Sequence, residues 1–148
     1  MINLYKINKE EIEAIVDFLY LNRTNLKKVI SEFGTLIETN KIGTYFLKPQ
    51  SEILNTLWIT EKNENVYSLS LGGQNLSLSL KKLSEWYPHH KEGFIPYDDE
   101  YNYTFYKNEN YQYLIKITSK DKLFEGNNII ENISITGLQI ILENSTPT

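Results

Sequence analysis

Apolar residues recur at helical spacing near the start of the chain and at strand spacing after residue 34. Ile12, Ile15, Val16 and Leu19 fall at i, i+3, i+4 and i+7 and make a single stripe. Asn8 stands three residues before Glu11, a capping box with Asn in the Ser/Thr place. Glu10, Glu11 and Glu13 lie where the helix dipole favours negative charge. The pattern predicts a helix over Lys9 to Leu21. Leu26, Val29, Ile30 and Phe33 line one face of a second helix, with Thr24 or Asn25 as its cap and Gly34 as its C′ residue.

From there the period is two. Strands are expected over Ile42 to Lys48, stopped by Pro49, and over Ile53 to Thr60. A polar turn at residues 61–65 follows. In the next strand Tyr67, Leu69 and Leu71 alternate with Ser68 and Ser70, and Gly72-Gly73 ends it. Ser79 caps a short helix that Pro88 closes, and a long polar and aromatic loop is expected from Pro88 to Glu100. Tyr101 to Tyr106 and Tyr111 to Thr118 read as a hairpin turning at residues 107–110. A turn region over 119–128 precedes a last strand within Ile129 to Leu142, with an interruption at Gly137.

Six mostly alternating strands and two or three helices with one apolar stripe each predict an α+β fold. Its expected form is a two-layer domain over residues 1–142, with helices on one face of a curved, mostly antiparallel sheet of about six strands. A disordered polar tail is expected over 143–148. Leu26-Lys27-Lys28-Val29-Ile30-Ser31-Glu32-Phe33 is echoed by Leu80-Lys81-Lys82-Leu83-Ser84-Glu85-Trp86. Two readings fit this echo: a tandem helix–βββ repeat behind an extra first helix, or the common Leu-Lys-Lys-Leu helix string arising twice.

Composition narrows the chemistry. The 148 residues contain no Cys, which removes disulfides, thiolate zinc sites, iron–sulfur ligation and cysteine nucleophiles. The two histidines are the adjacent His89 and His90, a spacing that does not aim both rings at one metal. Asp98-Asp99-Glu100 lacks the spaced ligands and the Gly of a calcium loop. Gly72-Gly73 lacks the rest of a phosphate loop, and no Gly-x-Ser-x-Gly elbow occurs. These points predict no cofactor, no metal and no enzyme activity. A net charge of −4 argues against a general hold on nucleic acid. No window has the length of a membrane span or a signal peptide, so a cytoplasmic protein is expected.

Aromatic residues are the anomaly, at 13% of the chain with 11 Tyr. Trp86, Tyr87, Phe94, Tyr97, Tyr101, Tyr103, Phe105, Tyr106, Tyr111 and Tyr113 crowd its second half. Cross-strand aromatic packing accounts for some of them. An interface is the functional alternative, because Tyr and Trp are favoured at binding hot spots.

Helices ending Ser31-Glu32-Phe33-Gly34 and Ser84-Glu85-Trp86-Tyr87-Pro88, each followed by Tyr-rich strands, resemble bacterial immunity proteins that neutralise polymorphic or contact-dependent toxins. The tandem layout is also similar in outline to β-lactamase inhibitory proteins, although those contain disulfides. The resemblance implies a protein-binding inhibitor whose partner is a cognate toxin. A basic, nuclease-type toxin would be met by carboxylates. It directs attention to Tyr97, Asp98, Asp99 and Glu100 as contacts, with Trp86 and Tyr87 anchoring the segment and Tyr101 and Tyr103 beside it. A general interaction module and a small-molecule binder lined by the Tyr-rich strands are the competing readings.

Overall fold

A computed structural model describes residues 4–5, 7–40, 42–73, 76, 78–106, 113–119, 129–130 and 132–136, the last three segments as backbone strands. Helix α1 runs Lys9–Leu21, and the Asn8 side chain accepts from the Glu11 N–H at 3.0 Å, so the expected cap is formed. Helix α2 runs Leu26–Phe33, with Asn25 rather than Thr24 accepting from Lys28 N–H at 3.2 Å. Helix α3 runs Leu80–Trp86, capped by Ser79.

Among the described residues eight strands form one antiparallel sheet in the order β1-β2-β3-β4-β10-β8-β7-β6. They are β1 (Gly34–Thr39), β2 (Thr44–Pro49), β3 (Thr56–Lys62), β4 (Asn65–Gly72), β6 (His90–Ile95), β7 (Glu100–Tyr106), β8 (Tyr113–Ser119) and β10 (Asn132–Thr136). A separate two-stranded piece joins β5 (Leu78–Ser79) to β9 (Ile129–Ile130).

The α+β class and the antiparallel pairing stand as expected. The strand number does not, since eight strands pair where about six were expected. The two extra strands, β1 and β6, are the two edges of the sheet. All but one residue of β1 is exposed and none of β6 is buried, so neither shows the alternation that burial imposes. Gly34 was expected as a left-handed helix terminator. Its φ of 175° is extended, and it opens β1. Glycine is needed there because a Cβ would come 2.5 Å from the Lys48 carbonyl oxygen. The last predicted strand is split into β9 and β10, before Gly137. The turns at 107–110 and 120–128 and the tail at 143–148 lie outside the described residues.

One hydrophobic cluster joins the layers. Ile12, Ile15 and Leu19 of α1, Val29 and Phe33 of α2, and Leu80 and Leu83 of α3 are buried in it. They meet Leu47, Leu57, Ile59, Leu69, Leu71, Tyr103 and Phe105 from alternate positions of the strands. Each such side chain taken from water contributes about 1.5–3 kcal/mol. Phe18 adds an edge-to-face contact on Phe33 at 5.5 Å. Trp58, Phe46, Ser68 and Ser70 occupy the alternate positions, on the other face of the sheet. Among the described residues no helix covers that face. Ser68 and Ser70 are buried all the same. They are small side chains on an interior strand, with Thr60 and Trp58 as their register partners on β3.

Candidate functional site

The β6–β7 hairpin carries the sequence-predicted acidic segment. Register pairs Ile95 with Glu100 and leaves residues 96–99 as the connection. Pro96 holds its φ near the value a turn needs. Asp98 N–H donates to the Ile95 carbonyl at 3.3 Å. Asp99 has φ 51°, a left-handed conformation that Asp tolerates better than most residues. The turn is therefore shaped by its own residues rather than by packing against the body of the protein.

Its side chains point to solvent. Tyr97 is 100% exposed, Asp98 and Asp99 are exposed, and Glu100 is half-buried at the start of β7. Phe94, exposed on β6, packs on its register partner Tyr101 with ring centroids 4.9 Å apart. Two exposed aromatic rings and three carboxylates thus share one hairpin end. A phenol ring held wholly in water contributes nothing to the fold's burial, and carboxylates grouped in this way steer a cationic partner.

The remaining predicted residues are placed elsewhere. Tyr103 is fully buried in the core and unavailable to a partner. The reason is alternation: Tyr103 and Phe105 share the inward face of β7, so the ring credited to a binding surface belongs to the helix–sheet layer. Trp86 is half-buried against the core at the end of α3. Tyr87 is 3% exposed. Its hydroxyl makes no hydrogen bond of good geometry, but the Glu13 carboxylate is near enough to act on it. Burial, and then the negative Glu13, push its phenol well above the usual tyrosine range. Lys9 Nζ lies 5.8 Å from the centre of the same ring. Trp86 and Tyr87 accordingly tie the segment after α3 to the core. Phe94, whose exposure follows from its place on the edge strand β6, joins the candidate surface although the sequence pattern singles out no strand there.

His89 and His90 are both exposed, with His90 opening β6. Among the described residues no group of three or more His, Asp or Glu side chains is arranged to hold a metal ion. Among the described residues no helix is long and apolar enough to cross a membrane. Comparison of the chain with family models, with curated proteins and with solved structures gives no match.

Proposed function

We propose that this chain is a protein-binding inhibitor, a bacterial immunity protein that blocks a toxin by docking the β6–β7 hairpin end onto it. The single observation that carries the reading is Tyr97, wholly exposed and flanked by Asp98, Asp99 and Glu100 on a self-shaped turn. An aromatic anchor surrounded by charge is the composition of a binding hot spot, and carboxylates complement the cationic site of a nuclease. The role is recognition in the cytoplasm, without a cofactor and without turnover.

A tandem origin is part of the proposal, with four sheet strands in each half in place of the three expected after each helix. α2-β1-β2-β3-β4 fills one half of the sheet from its edge inward, and α3-β6-β7-β8-β10 fills the other half in the same way. The two halves meet antiparallel at β4 and β10, as two copies of one unit related by a two-fold axis would.

The test is capture from a lysate of the source cell, comparing wild type with Asp98→Ala/Asp99→Ala/Glu100→Ala. One stoichiometric partner is expected, bound more slowly by the variant and less dependent on salt. That partner expressed alone should arrest growth, and co-expression with this chain should restore it. Equal binding by the variant would refute the surface. A partner without toxicity would leave an interaction module of another kind.

A further inference from the structure

Exposed apolar side chains gather at the edge of the sheet remote from β6. Leu36, Ile37 (65% exposed), Ile42 (81%) and Phe46 all lie on the β1–β2 hairpin. Among the described residues β1 pairs with β2 alone, so its outer edge presents backbone N–H and C=O groups. The opposite edge is guarded by composition: β6 contains His90, Lys91, Glu92 and Gly93. β1 reads Gly-Thr-Leu-Ile-Glu-Thr and holds a single charge.

The register of β1 shows what fits beside it. Thr35 lies opposite Lys48 and Glu38 opposite Phe46, which places both on the helix-free face. Leu36 lies opposite Leu47 and Thr39 opposite Tyr45, both on the core face. In a regular strand, positions 35 and 38 would point to opposite faces. The bulge between Leu36 and Glu38 inserts Ile37 and brings them to the same one. The facing pattern of β1 is therefore palindromic about the point between Leu36 and Ile37. A two-fold axis at that point sets position 34 against 39, 35 against 38 and 36 against 37 of a second copy. The two outer pairs then match in face.

Charge fits as well. Glu38 of the second copy falls beside Thr35, whose neighbour on its other side is Lys48. Two strand spacings separate that Glu38 from Lys48, about 10 Å between backbones, within the joint reach of their side chains. The two-fold axis makes this pair twice, and no like charges face each other.

The geometry points to a homodimer in which β1 adds antiparallel to β1 of a second copy about the Leu36–Ile37 axis, making one continuous sheet. The surface is separate from the β6–β7 turn and stands whether or not that turn binds a toxin.

The absence of Cys makes the test direct. In Thr35→Cys/Glu38→Cys the two thiols of one chain are about 10 Å apart along the strand, beyond disulfide reach. Across the axis each faces the other at about 5 Å between Cα atoms, which a disulfide spans. Mild oxidation should yield a covalent dimer, and Thr35→Cys alone should not. Sedimentation equilibrium should show a wild-type dimer, weakened about tenfold or more by Ile37→Lys, which puts a charge at the centre of the contact. Glu38→Lys should weaken it several-fold, and Glu38→Lys/Lys48→Glu should restore it. These positions are exposed, so an unchanged far-UV circular dichroism spectrum identifies folded variants, while loss of the dimer itself lowers the melting temperature. A wild-type chain that stays monomeric up to about 100 μM would overturn the dimer, since even a weak one is populated there. So would equal cross-linking by the single-cysteine variant, or no recovery in the double charge exchange.

Discussion

Replacing Tyr87 by Phe removes one buried oxygen and leaves the ring in place. The tyrosine is 3% exposed, and its hydroxyl makes no hydrogen bond of good geometry, its polar neighbour being the Glu13 carboxylate. A buried hydroxyl without a hydrogen bond costs about 1–3 kcal/mol of desolvation. Tyr87→Phe is therefore expected to stabilise the protein, by about 1 kcal/mol at neutral pH once loosened packing is offset against the gain. For a chain of this length that is a rise in Tm of roughly 2–4 °C.

The pH dependence gives an independent reading of the same group. Burial first, and Glu13 second, raise the Tyr87 pKa above its ordinary 10.0. The unfolded chain then loses this proton at a lower pH than the folded chain does. Stability is intact below pH 10.0 and falls as pH rises toward the folded value. The slope is at most about 1.4 kcal/mol per pH unit for one group. Tyr45, whose hydroxyl donates to Glu61 Oε1 at 3.1 Å, is raised in the same direction, by burial first and then by Glu61. Urea unfolding at neutral pH and again above pH 10 measures both effects. In Tyr87→Phe the alkaline loss should shrink to the share left by the other tyrosines. A variant less stable by about 1 kcal/mol at neutral pH, with the alkaline slope unchanged, would refute the reasoning, because that is the signature of a hydroxyl satisfied in solution.

Two further substitutions probe the framework. Gly73→Ala should prevent folding or cost several kcal/mol, since a Cβ there would overlap the Ile53 carbonyl oxygen; soluble yield and thermal melting report it. Asn8→Ala removes the acceptor for Glu11 N–H and should cost about 1 kcal/mol, seen as a lower urea midpoint with an unchanged m-value.

Burial decided which elements could be read from the residues. α1 was legible to the residue, because its stripe is wholly committed to the core and its cap follows a simple rule. The six expected strands correspond to β2, β3, β4, β7, β8 and β10, the interior of the sheet. β1 and β6 were not legible, because an edge strand is held by backbone bonds on one side and its side chains carry little information. Pro49 shows the same limit. It closes β2 from within, paired with Gly34, rather than standing after the strand. At the candidate site, the acids and Tyr97 were legible as local density in the chain. The inward turn of Tyr103 was legible only as a shared face with Tyr101 and Phe105, and which face met the helices depended on the whole sheet. The exposure of Phe94 followed from β6 and was missed with it.

The junction between β4 and β10 sets an order of events during synthesis. Residues 68–72 find their second neighbour only in residues 132–136, a long way further along the chain. Until those residues leave the ribosome, β4 is itself an edge, and Leu69 and Leu71 wait beside an unfilled position. The nascent first half is thus a four-stranded meander with an open apolar border, a species prone to associate with its own kind. Pairing over so long a loop is slow. How much of this protein reaches its native state is therefore expected to depend on how soon the second half follows the first, and not only on the stability of the finished sheet.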